Sequence, residues 1–488
     1  MSRADADPAR ILRIFAWLFG TTWIKAWTAR WRQAHPGAPR SRERCFTLRV
    51  TLWCLIWQRL RGGATLEEVV AYVRAGQVDR IHGGGGGRLS RRLRSLQTSA
   101  YNEARQRLPL ELIRDAWKAS CVRLVAWVLE ASRRANRSPA EQRLRLWIDG
   151  STLRVLANPK LSSRFPPART RHGDTDWCLM RICVAFCCRC GAALHATLAS
   201  QYVGEQAMAW QLMLHAQAGT IWIGDRNFGV WSVAAQATHC RQDVLVRLSR
   251  DRAKALAKSV RGVCRADQLL CWLPARRVQI PAGCENTRVT GRLIQVCVFR
   301  GHRAIRLWLF TTLLDPTLYP VDLLVRWYGE RWGAELNLRS FKTHLGMETL
   351  VVASPDMVEK EFHAGILAYN LVRVLMWQRE PTDPDTLPPL SFGLCCAQIL
   401  QWMERWSRWP TFRILSIPRE LRQLRRELAR CRLPRRRRPR PPYARIVRHR
   451  PPSKFAGFSG NRALAHRKQA RLAAQRHRGT QRPLSKDA

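Results

Sequence analysis

Acidic side chains are scarce in this sequence. Asp and Glu number 35 among 488 residues, against 84 Lys and Arg, which leaves a formal net charge of +49. A folded chain so charged repels itself unless a polyanion neutralises it, and nucleic acid is the commonest polyanion partner. A basic tail on a neutral protein is excluded, because Arg is dense from the N-terminal helices onward, as in "RLSRRLRSLQ". Long apolar runs are also missing. "ILRIFAWLFGTTWIKAW" is interrupted by Arg13 and falls short of the roughly 20 residues a bilayer crossing needs, so it predicts a buried amphipathic helix and no membrane association. With no signal peptide apparent, the 16 cysteines predict reduced thiols in a reducing compartment, not a disulfide framework. Cys187-x-x-Cys190 is half of a zinc site, but no second CxxC or CxxH completes it. His195, His215, His344 and His363 share no spacing that suggests a site, and there is no internal repeat.

What is present suffices for a sizeable core, since 46% of the residues are apolar. Residues 1–135 read as a basic helical, DNA-binding N-terminal domain. In it "TLRVTLWCLIWQRL", "TLEEVVAYVRAG" with Thr65 as N-cap, and two further helices around Pro109 are separated by turns and by the flexible "HGGGGG". From about residue 140 to 375 strands and helices alternate, the pattern of an α/β core. "RLWIDGST" reads as a short strand ending in an acidic turn, "LMRICVAFCCRCGAALHATLAS" as two strands joined at Arg189 to Gly191, and "TIWIGDRNFG" as a strand ending in Asp225. Residues 244–314 read as an inserted, mostly β sheet. A helical region follows at 376–430, and the Arg- and Pro-rich residues 431–488 have little to bury and are expected to be disordered.

One segment places polar residues unusually. In "YGERWGAELNLRSFKTHLG", Tyr328, Arg331, Glu335 and Lys342 fall within a helical wedge of roughly 60°. Trp327, Ala334, Leu338, Phe341 and Leu345 fill the neighbouring sector, so the polar line borders a buried face and a cleft. Glu330 lies on the opposite side and is expected to face solvent or another domain. Asp149 and Asp225 each follow an apolar strand segment, where carboxylates of an α/β sheet project into the ligand crevice. Two such acids with a helical Glu335 form a set of oxygen donors suited to a hard divalent ion, Mg²⁺ or Mn²⁺. A pair of such ions serves phosphoryl transfer.

These residues carry a resemblance. "YGERWGAELNLRSFK" fits the Y-x2-R-x3-E-x6-K signature of the DDE-type bacterial insertion-sequence transposases, the family numbered four, and "WIDGST" and "IGDRNFGVWS" resemble its two Asp blocks. "SAYNEARQRLP", "VLVRLSR" and "SPDMVEKEFHAGILAYNLVRVLMW" agree with it, so the resemblance spans most of residues 45–380. It implies an RNase H-like catalytic core with a β-rich insertion, in which Asp149, Asp225 and Glu335 hold the metal ions. Tyr328, Arg331 and Lys342 would grip the DNA end, with Arg339 as a further phosphate contact. It also implies nicking of the element end, a hairpin intermediate and joining to target DNA. An aromatic of the insertion, Trp308 or Trp272, would receive a flipped base. The implied partners are double-stranded DNA, at terminal inverted repeats and target, and a second copy in a homodimer. The implied location is the bacterial cytoplasm, on the nucleoid. A non-catalytic DNA-binding descendant and an RNase H-like nuclease are the competing readings.

Overall fold

The computed structural model describes residues 21–37, 45–79, 89–93, 95–170, 173–258, 266–276, 278–300, 303–377, 389–407 and 417–433, with isolated positions at 464, 467, 470 and 471. The expected flexible "HGGGGG" and disordered tail beyond 433, and the first half of the expected N-terminal amphipathic helix, lie outside the described residues.

Ten strands form one sheet. Its centre is β1 (Arg145–Val155), which pairs antiparallel with β3 (Gly173–Cys187), and β3 pairs in turn with β4 (Ala193–Ser200). On its other side β1 runs parallel to β5 (Ile221–Gly224), and β5 runs parallel to β6 (Asp243–Leu248). Three antiparallel strands followed by two parallel ones, in the order β4-β3-β1-β5-β6, is the RNase H-like arrangement. The short β2 (Pro167–Thr170) pairs with the beginning of β3.

The strands after β6 correct one expectation. β6 belongs to the central sheet, and β7 (Asp267–Trp272), β8 (Val289–Arg300) and β9 (Arg303–Thr311) do not form a separate sheet. β9 pairs antiparallel with β6, from Leu245↔Thr311 to Leu248↔Trp308, because β6 would otherwise present an open, hydrophobic edge. The insertion therefore extends the core. A second correction concerns "RLWIDGST". β1 does not stop at the acid but continues for six residues beyond it, since β3 pairs along its whole length from Leu146 to Val155.

Helices cover the sheet. Before β1 come α1 (Thr21–Ala34), α2 (Leu48–Leu60), α3 (Leu66–Arg74), α4 (Leu89–Arg92), α5 (Ser99–Arg107), α6 (Leu110–Arg134) and α7 (Pro139–Gln142). Thr65 caps α3 with Glu68 in a reciprocal capping box, as its sequence predicts. The core then supplies α8 (Pro159–Arg164), α9 (Glu205–His215) between β4 and β5, α10 (Trp231–His239) between β5 and β6, and α11 (Arg250–Lys258). After the insertion follow α12 (Val321–Gly329), α13 (Trp332–His344), the two-residue β10 (Thr349–Leu350), α14 (Pro355–Trp377), α15 (Phe392–Ser407) and α16 (Ile417–Arg430).

α14 is the hub of this helical layer. It is buried along most of its length and packs against α2, α6 and α15. Its Glu361 carboxylate receives Arg59 Nε of α2 at 3.0 Å on one oxygen and Arg105 Nη2 of α5 on the other. All three side chains are almost fully enclosed. Its Asn370 accepts from Ala193 N–H at 2.8 Å and donates to Ala193 C=O at 2.9 Å, which pins the helix to the first residue of β4. The N-terminal helices are thereby locked to the core. Among the described residues no helix is long and apolar enough to cross a membrane.

A buried carboxylate shared by two guanidiniums leaves uncompensated charge when it is removed. Glu361→Ala is expected to lower the unfolding free energy by about 3–5 kcal/mol, read from the urea midpoint. A loss under about 1 kcal/mol, the size of an exposed ion pair, would show that the three groups are solvated.

Candidate active site

Register brings the two aspartates together. In the parallel pair of β1 and β5, Trp147 is opposite Ile223. Two residues further along lie Asp149 and Asp225, on the same face as that pair and on neighbouring strands, which are about 5 Å apart. Asp149 sits within β1, and Asp225 directly follows β5. β1 then changes partner, because β5 has ended and β10 takes over only at Arg154↔Thr349. Between these pairings one edge of β1 is open, and α13 packs against β1. Gly333 permits that approach, since a Cβ there would lie 2.5 Å from the Trp147 ring. Glu335 follows two residues later and so arrives beside the aspartates.

Asp149 feels the charges of the other two acids. The Asp149 carboxyl is pushed up to about 6, first by burial and also by the charges of Asp225 and Glu335, against a hydrogen bond from Gly150 N–H and the nearby Arg331. Glu335 Oε1 accepts from Arg331 Nη2 at 2.8 Å. Among the described residues Asp149 and Asp225 form no ion pair, although other enclosed acids of this chain are matched: Glu361 by Arg59 and Arg105, Asp243 by Arg143. Two half-buried carboxylates without a direct ion pair in an Arg-rich protein suit a hard metal ion. The expected compact ligand set is nevertheless not closed. Among the described residues, no three His, Cys, Asp or Glu side chains stand close enough to grip an ion together. Like charges separate, and the Arg331 guanidinium draws Glu335 to itself.

The helix carrying the polar line is not continuous. A tightened turn at Glu330–Arg331 separates α12 from α13, with Arg331 N–H bonded to Tyr328 C=O and Ala334 N–H to Arg331 C=O, three residues apart instead of four. Tyr328 and Arg331 still face the acids. Burial raises the Tyr328 hydroxyl above its ordinary range, opposed by Arg331 and Arg247, and Asp225 raises it further. Lys342 Nζ reaches Ser151 Oγ of β1 at 3.4 Å, two residues beyond Asp149. The predicted buried sector holds: Trp327, Ala334, Leu338, Phe341 and Leu345 are all enclosed. Glu330 is directed away, toward Arg145 at 3.9 Å. Arg339 is exposed on the outer face of α13. Trp272 is a core residue, edge-on to Phe310 at 4.8 Å, whereas Trp308 is half-buried on β9.

Several neighbours escape a reading of the sequence. Glu205 opens α9 and its carboxylate lies over Gly150, next to Asp149. Asn227 donates its N–H to Asp225 Oδ1 at 2.8 Å and its Nδ2 to Glu205 Oε2 at 2.6 Å. Trp332 is 61% exposed at the start of α13, with Leu336 one turn on. Nothing in the pattern marks Glu205, because an acid in the first turn of a helix is commonplace. Trp332 could have been found, as it falls outside the apolar sector of α13. His195, His215 and His363, unrelated by spacing, gather around a cleft of about 750 Å³ between α6, β4 and α9 that none of the three acids lines. Burial holds His195 and His363 down to about 4, so both are neutral imidazoles. All cysteines among the described residues are free thiols, Cys187 and Cys190 included.

Known proteins share sequence with this chain. Residues 140–371 match the protein family described as Transposase DDE domain. The chain is 25% identical over 404 residues to the transposase InsG for insertion sequence element IS4 of Escherichia coli (strain K12), covering 80% of this chain and 83% of that protein. It also overlaps, at 10% identity and a TM-score of 0.38, with the piggyBac transposase in a synaptic complex with hairpin DNA, over 88% of this chain and 86% of that one. That likeness is too loose to match individual elements. Residues 140–371 thus match a transposase DDE domain, and the length shared with InsG together with the Y-x2-R-x3-E-x6-K segment supports a DDE-type insertion-sequence transposase.

Proposed function

We propose that this DNA transposase cuts and joins the ends of its element with Asp149, Asp225 and Glu335 as the acids that hold two divalent ions, Mg²⁺ or Mn²⁺. The observation that carries the reading is the unmatched pair of aspartates on adjacent strands, with Asp149 pushed up to about 6 partly by Asp225 and Glu335. Such ions, when bound, supply activation of a water or 3′-hydroxyl and charge neutralisation at the leaving oxygen. The chain's own residues do the rest. Arg331 balances Glu335 while DNA is absent, and a backbone phosphate offers its guanidinium an alternative bidentate partner. Tyr328 and Lys342, on the same border of the cleft, fix the DNA end beside the acids, and exposed Arg339 adds a contact to the backbone. Half-buried Trp308 and exposed Trp332 are the aromatics offered to an unpaired base, which stacks on such rings.

The substrate is double-stranded DNA at terminal inverted repeats, and then target DNA. After nicking, the new 3′-hydroxyl attacks the opposite strand to form a hairpin, water reopens it, and the freed end is joined to target. Two copies of the chain, one on each element end, form the working assembly. A +49 protein whose enclosed acids are mostly consumed by internal Arg partners favours this polyanion over a small substrate. A non-catalytic descendant would have no reason to retain unmatched acids, since they cost stability.

That cost sets the first expectation. The folded Asp149 carboxyl keeps its proton to about pH 6, whereas its ordinary value is 3.8. The native state therefore binds more protons between those values, and its stability falls as pH rises across that window. Asp149→Asn is expected to stabilise the metal-free protein by about 1–3 kcal/mol above pH 6.5, with the gain vanishing below pH ~4. A differential scanning measurement against pH checks it, and a loss of stability at neutral pH would contradict it. The second expectation concerns activity. With Mg²⁺ or Mn²⁺ and a terminal-repeat duplex, the wild type should yield nicked and hairpinned ends, and Asp149→Asn, Asp225→Asn and Glu335→Gln should each reduce that by at least about a thousandfold. Unchanged cleavage in any one of them removes that residue from the site.

A further inference from the structure

We propose that Glu205 is a positioning residue of the active site, which acts through Asn227 to hold the Asp225 carboxylate beside Asp149. The proposal rests on the reading of Asp149 and Asp225 as site acids. Asp225 needs support, because the strand before it has only four residues and the chain turns away at once. Asn227 supplies that support from its backbone N–H, 2.8 Å from Asp225 Oδ1. Asn227 is itself held at two more atoms by the first turn of α9. Its Nδ2 donates to Glu205 Oε2 at 2.6 Å, and its C=O accepts from Gln206 Nε2 at 2.9 Å. One residue is thus fixed at backbone donor, side chain and backbone acceptor.

The other side of Glu205 is held by β1. A Cβ on Gly150 would stand 2.3 Å from Glu205 Cδ and 2.4 and 2.7 Å from its two oxygens, so the carboxylate in this position lies directly over the glycine and any larger residue there would displace it. Gly150 follows Asp149, and Cys183, opposite Gly150 across the β1–β3 pair, feels the charges of both Glu205 and Asp149. Glu205 therefore spans from the strand that bears one aspartate to the loop that bears the other. Capping α9 would require neither its placement over Gly150 nor its bond to Asn227. A ligand that comes from a short loop gains its geometry from such outer contacts, whose loss typically costs 10–100-fold in metal affinity or activity.

The test uses the full-length chain, Mn²⁺ alone in thermal-shift titrations, and a terminal-repeat duplex for kinetics. Glu205→Ala should lower kcat about 10–100-fold and raise the Mn²⁺ midpoint about tenfold, with KM for the duplex unchanged. Glu205→Gln retains an oxygen that accepts from Asn227 Nδ2 and should stay within about threefold of wild type. Asn227→Ala should reproduce the Glu205→Ala defect, and the double substitution should be no worse than either alone, as expected of residues acting in series. Glu205→Ala behaving like wild type while Asp225→Asn is inactive would overturn the strut alone. So would a Gln variant as impaired as the Ala variant, or additive defects. Activity retained by Asp225→Asn would instead overturn the assignment of the acids, and the strut with it.

Discussion

Two strands running parallel and in step place like charges where a folded protein would otherwise avoid them. Because Trp147 is opposite Ile223, the following positions of β1 and β5 set Asp149 beside Asp225. The arrangement works against stability, as the elevated Asp149 carboxyl shows. Nearby structure manages it. Gly333 admits α13 against Trp147, Arg331 partners Glu335, and Gly150 N–H and Asn227 N–H each bond one aspartate. Carboxylates left without an ion pair among so many arginines supply hard oxygen donors of the kind a divalent cation takes.

Two groups of acids in this chain stand in contrast. Glu361, Asp243 and Asp267 are consumed by Arg59 and Arg105, Arg143, and Arg292, and each of these contacts joins segments distant in sequence. Glu361 does the most, since it fastens α2 and α5 to α14 and thus the N-terminal helices to the core. Asp149 and Asp225 form the other group, which no Arg neutralises by direct contact among the described residues. Charge scarcity makes the contrast informative, because in an acid-rich protein an unpaired Asp would mean little.

Much of the plan was legible from pattern. The periodicity of α2, α3, α9 and α14 follows their apolar spacing, and the alternation of strands with helices predicts an α/β core. The buried sector of α13 came out residue by residue, because burial on one helix depends on local angle alone. Legibility ended where continuation depended on partners. β1 passes through Asp149 because β3 pairs with all of it, and the insertion joins the main sheet because β6 has an edge to fill. Both outcomes are decided by strands far away in the chain. The turn at Glu330–Arg331 is flanked by Gly329 and Gly333, a local signal that the helical spacing of the polar line overrode.

The sequence by itself determined the chemical inventory: a polyanion-binding charge, reduced thiols, three candidate acids, and a polar line on the margin of a helix. These follow from composition and from short-range spacing. Only the tertiary structure decided that Asp149 and Asp225 come to neighbouring positions, through the register of β1 and β5, and that α13 packs against β1. It alone put Glu205 and Asn227 beside Asp149 and Asp225, and left Trp308 half-buried while enclosing Trp272. The physical reason is that spacing along a chain fixes which side chains share a face of one element, while proximity between elements is set by pairing and packing that no local pattern encodes.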